Sequence, residues 1–337
     1  MSENAISRLP RILLITTGGT IAMTPDATGG VTPTLTGEDL VRSVPPIADH
    51  CRLEVLSFIS KPGASLNWND LLGLAKVIND KLDNGDFDGV VVVQGTDTIE
   101  ETSYLFDLLI YSDKPVIITG AMRSAMMISA DGPANLLGAV IAAGSEKMRG
   151  MGTLVVLNNE IHAARYVQKS HTGHVHTFVS PGFGPLACIM EDRIYQYASI
   201  SRTPSLPLPE LDDMAGVALI KASLADDERI LKKILRLGYQ GIVIEAMGAG
   251  HLPSHYAEHI SELSKRVPVI LSTRVPSGPI FSHSYSFVGS EMDSLQRGAI
   301  SAGVLGSLRA RILLSLLLSL DYSQEQIKEA FKNRALF

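Results

Sequence analysis

Val90-Val91-Val92-Val93-Gln94-Gly95-Thr96-Asp97-Thr98-Ile99-Glu100-Glu101 is the stretch on which the reading of this chain turns. Four consecutive valines with no polar interruption describe a strand covered on both faces, as in a parallel sheet flanked by helices. A glycine-containing turn follows, and residues 99–110 then read as a helix. Repeated strand–turn–helix units imply a doubly wound α/β fold with right-handed crossovers.

Moving outward, the same pattern recurs. Further strand candidates are residues 12–15, 55–59, 116–119 and 154–157. Thr36 is placed to cap a helix starting near Gly37. Asn67 can cap a helix over 68–82, which stops at the turn signal Asp83-Asn84-Gly85, and 134–143 reads as another. A composition shift interrupts the alternation: Pro204, Pro207 and Pro209 precede Glu210-Leu211-Asp212-Asp213. We therefore expect a first domain over 1–200, a linker over 201–215 and a smaller α/β domain over 216–337. In the latter the reading is strand 217–220, helix 226–237, strand 242–246, helix 255–265, strand 267–272 and helices 307–319 and 323–332. Ser323 and Gln326 are spaced as a capping box for the last helix.

Composition bounds the function. A chain of 337 residues suggests two domains of ordinary size, and 45% hydrophobic residues leave ample core. Net charge is −6 with no basic run, which argues against a nucleic-acid partner. Cys51 and Cys188, far apart, read as free thiols of a reducing compartment. The apolar run at 12–15 ends at Thr16-Thr17-Gly18-Gly19, too short for a signal segment, and 312–320 holds two serines and cannot span a bilayer. A soluble intracellular α/β protein with no membrane association is the expectation.

In an open parallel sheet ligands bind beyond the carboxyl ends of the strands. Two loops there combine glycine with threonine: Thr16-Thr17-Gly18-Gly19-Thr20-Ile21-Ala22, and Gln94 to Glu101. Glycine lets backbone amides approach a ligand, and a threonine hydroxyl can act as a nucleophile. Either loop alone reads more simply as a turn capping the next helix; two at one sheet edge favour a site. No GxxxxGK[ST], GxGxxG or GxSxG pattern competes. His171, His174 and His176 cluster, and His255 and His259 are four apart, but HExxH is lacking, so loop and helix-face histidines are preferred over a metal. A threonine needs a base, and a lysine can serve. Lys169, following an apolar strand, is the candidate, with Asp97 beside Thr96 to orient it or to hold a substrate amine.

Thr17-Gly18-Gly19-Thr20-Ile21-Ala22 and Gly95-Thr96-Asp97-Thr98-Ile99-Glu100-Glu101-Thr102 resemble the two signature segments of bacterial-type L-asparaginases. Gly120-Ala121-Met122-Arg123, the run from Ser129 to Leu136, the segment ending in Lys169, and the run from Ser272 to Gly278 are similar to that family as well. The resemblance spans roughly residues 11 to 335. It implies a larger catalytic domain, a smaller second domain, a homotetramer built from intimate dimers, and hydrolysis of L-asparagine to aspartate and ammonia without a cofactor or metal. By position it makes Thr20 the nucleophile and Thr96, Asp97 and Lys169 a second catalytic group, with Gly95 and Asp97 also at the substrate. Val31 stands where the family has a lid tyrosine. Gly63 and Ala64, followed by Ser65, stand where a serine and a polar neighbour contact substrate. His251 falls at an asparagine offered across the interface, and Glu291 at a second interface contact. Two other readings stay open: the amidohydrolase subunit of a tRNA-dependent amidotransferase, and an amino-acid-sensing protein on the same fold.

Overall fold

The computed structural model describes residues 9–19, 23–25, 31–33 and 36–334, the two short central segments as backbone only. The chain divides into two compact units, Met1–Leu206 and Pro207–Phe337.

In the first unit the elements are β1 (Arg11–Thr16), the hairpin strands β2 (Met23–Pro25) and β3 (Val31–Pro33), α1 (Gly37–Arg42), α2 (Ile47–His50), β4 (Arg52–Ser57), α3 (Trp68–Asp83), β5 (Gly89–Val93), α4 (Ile99–Leu109), β6 (Val116–Thr119), α5 (Gly132–Ala143) and β7 (Thr153–Leu157). They continue with β8 (Glu160–Ala163), β9 (Gln168–Lys169), β10 (Phe178–Val179), β11 (Ala187–Met190) and β12 (Arg193–Gln196). One eight-stranded sheet runs β12-β11-β8-β7-β6-β5-β1-β4. The strands from β4 to β7 are parallel, and β8, β11 and β12 add an antiparallel end. All four valines of β5 are fully buried, as their uninterrupted run requires. Each such side chain contributes roughly 1.5–3 kcal/mol of burial, offset largely by the entropy of ordering the chain. Thr36 and Asn67 cap α1 and α3 with reciprocal capping boxes, as their side-chain chemistry predicts.

One local expectation is corrected. The strand expected at 55–59 lies at Arg52–Ser57 and is the sheet edge, half exposed; Phe58 and Ile59 instead donate their N–H groups to Thr16 O as the chain leaves the sheet. The antiparallel end was not anticipated. It is built on two tight turns, Asn158-Asn159 and Glu191-Asp192, each with both residues at positive φ, the geometry that matches strand twist in two-residue hairpins.

The second unit has a parallel four-stranded sheet ordered β13 (Val217–Lys221), β14 (Gly241–Ala246), β15 (Val269–Thr273), β16 (Ile300–Ser301), with helices α6 (Ala257–Ser264), α7 (Glu291–Gln296), α8 (Ser307–Ser319) and α9 (Gln324–Arg334). The helix expected over 226–237 is a 3-10 turn confined to Leu231–Leu237. Asp226 accepts the N–H groups of Ser223 and Asp227, and Asp227 accepts that of Arg229. These local side-chain bonds compete with a helical ladder. Ser323 and Gln326 bond reciprocally at the start of α9.

Candidate active site

The strand order places β1 between β4 and β5, so the chain moves from β1 to one side and then crosses back from β4 to the other. In such sheets ligands bind in the crevice at this switch point, beyond the carboxyl ends of β1 and β5, whose registers align Thr16 with Val93. Thr17 donates its N–H and its hydroxyl to Val93 O at 3.0 and 3.2 Å, tying the two loops together. Gly18 and Gly19 have φ of +105° and +98°, and a Cβ on Gly19 would lie 2.3 Å from Gly95 N. Only glycine lets these two loops press backbone to backbone. The loop after β4 joins them: Lys61 N donates to Thr17 O, and Gly63 O accepts the Thr98 hydroxyl at 3.2 Å.

Thr96 opens a single 3-10 turn, Thr96–Thr98, from which α4 continues. Its side chain is buried, and Oγ1 accepts from Lys169 Nζ at 2.9 Å. The same ammonium donates to Asp97 Oδ1 at 2.7 Å. Lys169 is mostly covered whereas Asp97 is largely exposed. The structure thus joins Thr96, Asp97 and Lys169, the last arriving from 72 residues away. Lys169 reaches them on β9, paired antiparallel with β10 through Lys169 opposite Phe178.

Thr20 lies outside the described residues, and Val31 is seen only as backbone of β3. Gly63–Ser65 form a 3-10 turn against Gly95: Gly63 is buried, and Ala64 and Ser65 are exposed. His251 and Glu291 stand together in the second unit, Nε2 to Oε2 3.4 Å. Glu291 is fully buried; burial raises its pKa, but the N–H groups of Tyr285 and Ser284 and the His251 charge outweigh that and leave it below the ordinary carboxylate value. His251 packs edge-on to Tyr285 and Phe287 at 4.7 and 5.2 Å.

The histidines resolve differently. His171 and His174 stack at 3.5 Å in the turn between β9 and β10, and His171 Nδ1 accepts the N–H groups of Gly173 and His174. His259 pairs with Glu228 at 2.8 Å. Among the described residues no group of three or more His, Cys, Asp or Glu side chains is arranged to hold a metal ion. Sequence reasoning missed the side chains that anchor this region. Asp131 accepts the N–H groups of Met122 and Arg123, and buried His162 bonds Ser180 and Glu160. The Asn158-Asn159 pair was the available signal for a hairpin there.

Threonine, carboxylate and ammonium thus meet at the switch point of a parallel sheet, the place where ligands bind in folds of this kind. The family model described as Asparaginase, N-terminal matches residues 11–202, and that for the Glutaminase/Asparaginase C-terminal domain matches 216–331. The chain belongs to the asparaginase family, whose L-asparaginase members are amidohydrolases. It is 35% identical to L-asparaginase 2 of Bacillus subtilis over 333 residues, 96% of this chain and 86% of that one. It is 33% identical to a probable periplasmic L-asparaginase of Haemophilus influenzae over 96% of this chain and 93% of the relative. The crystal structure of a probable cytoplasmic L-asparaginase from Campylobacter jejuni has a TM-score of 0.87 and 32% identity, covering 96% of this chain and 99% of that chain.

Proposed function

We propose that the chain is an L-asparaginase, hydrolysing L-asparagine to L-aspartate and ammonia. The observation that carries this is the Lys169 ammonium bridging Thr96 and Asp97 at the switch point, in a chain whose relatives bear that name. Thr20 attacks the side-chain amide carbon, ammonia leaves, and water releases aspartate from the acyl-enzyme. Thr96 and Lys169 exchange the protons these steps require, and general base catalysis of this kind contributes ~10²–10⁴-fold. Asp97, largely exposed, also receives the substrate's α-ammonium. The proposed assembly is a homotetramer of intimate dimers in which a partner copy presents His251 and Glu291. A cytoplasmic location is proposed from the free Cys51 and Cys188; among the described residues no helix is long and apolar enough to cross a membrane.

The test is ammonia release by the purified chain given free asparagine, with glutamine in parallel. Asparagine turnover abolished by Thr20→Val and Lys169→Met is the expected result. No ammonia from either amide, or full activity in both variants, would overturn the reading.

A further inference from the structure

Lys169 sits on a strand of two residues, too short to hold itself in place. Its hairpin is closed locally, where Ser170 N and Oγ donate to Thr177 O at 2.7 and 2.8 Å. Those bonds join β9 to β10 but leave open what fixes β10 to the main sheet. Two side chains of β8 answer this. Glu160 and His162 are two residues apart on one strand and therefore share a face. His162 Nδ1 lies 3.0 Å from Ser180 Oγ, immediately after β10, and Glu160 Oε2 lies 3.2 Å from His176 Nε2, two residues before it. The return strand is thus held at both ends from β8.

The same carboxylate sets the histidine's tautomer. Glu160 Oε2 lies 3.2 Å from His162 Nε2, so that nitrogen carries the proton and Nδ1 accepts from the Ser180 hydroxyl. His162 and Ser180 are buried, at 1% and 5% exposure, where an unmade hydrogen bond is costly and the alignment is correspondingly firm. We propose that Glu160, His162 and Ser180 are positioning residues that clamp the 168–180 hairpin and so keep Lys169 on Thr96 and Asp97. This rests on the catalytic reading of Lys169 given above, and the test separates the two.

Ser180→Ala removes a single oxygen from a buried place. His162→Gln keeps an amide near Glu160 and gives up Ser180, whereas His162→Asn sets its amide where Nδ1 was and can still accept from Ser180. Each is measured for turnover, KM, thermal unfolding, and acetylation of Lys169 under limiting reagent relative to exposed Lys332, read by peptide mass spectrometry. Ser180→Ala and His162→Gln should lower kcat by ~10-fold or more, because small misplacements of a catalytic group are costly, with KM little changed. Lys169 acetylation should rise about threefold in both as the hairpin loosens. His162→Asn should restore most of both readouts, and the Ser180→Ala/His162→Gln double variant should lose no more than either single one.

Unchanged Lys169 acetylation in Ser180→Ala and His162→Gln would overturn the clamp, whatever happens to turnover. Raised acetylation with undiminished kcat would show that the clamp does not serve catalysis. Lys169→Met retaining full turnover would instead overturn the catalytic reading, while acetylation still decides the clamp.

Discussion

Thr96 and Lys169 meet at 2.9 Å but are delivered by regions of opposite construction. Thr96 follows β5, every residue of which is buried between two parallel neighbours, and it precedes an eleven-residue helix. Lys169 arrives on a two-residue strand outside the main sheet, which packs on α4 and is tied to β8 by side-chain bonds. The threonine is placed by backbone geometry that many residues share; the lysine is placed by particular side chains that substitution can remove singly. Precision at one partner comes from redundancy and at the other from specificity.

The largest test of the comparison is chemical. Thr96→Val and Lys169→Met should each lower ammonia release by ~10²–10⁴-fold, since in the proposed mechanism the two groups act as one unit, with thermal unfolding shifted by only a few degrees. Equal and severe losses would show that the two constructions meet in one function; a mild Lys169→Met would break that equivalence.

Next is backbone tolerance. Gly19→Ala should destabilise by about 3 kcal/mol or more in urea unfolding, because its φ is +98° and the new Cβ would meet Gly95 N at 2.3 Å. Gly173→Ala, in the lysine hairpin, meets nothing within 4 Å and should stay within about 0.5 kcal/mol. Similar costs at both positions would erase the distinction.

A smaller effect comes with pH. Burial depresses the His162 pKa, with Glu160 pulling it up and His176 pulling it down. Below about 6.5 the unfolded chain therefore binds a proton that the folded chain refuses. Stability should be flat above that pH and fall below it, by at most about 1.4 kcal/mol per pH unit from this group. His162→Asn should flatten that part of the pH profile of urea unfolding; an unchanged slope would mean that other groups set it.

The smallest effect is expected at the Gly63–Ser65 turn, which the family resemblance sets beside the substrate. Ala64 is exposed, so Ala64→Gln should lower the KM for asparagine by ~3–10-fold with kcat nearly constant, the mark of added uniform binding. Gly63→Ser should help less, because its Cβ would lie 3.1 Å from both Gly95 O and Thr98 Oγ1. A response to neither would show that this turn does not touch the substrate.

The parallel half of the first sheet was legible because strands covered on both faces are written as uninterrupted apolar runs. Strands such as Glu160–Ala163 and Arg193–Gln196 were not, since their polar members face partners that local periodicity cannot name. The segment over 226–237 carries apolar spacing suited to a helix, but Asp226 and Asp227 divert the backbone. At the site, Thr96, Asp97 and Lys169 were each identifiable by residue type and place after a strand, whereas their contact depends on the unexpected hairpin. The tie from Glu160 and His162 to Ser180 left no trace in spacing, because it exists only once the 168–180 hairpin is in place.

The central place of β1 also bears on how the chain is made. Its partners, Arg52–Ser57 and Gly89–Val93, are translated after it, and the second emerges about eighty residues later. Until then β1 is a largely apolar ribbon with at least one open edge, the kind of species that recruits wrong partners. The nascent chain should therefore depend on chaperone cover most acutely before residue 93 clears the exit tunnel, and much less once β5 has docked.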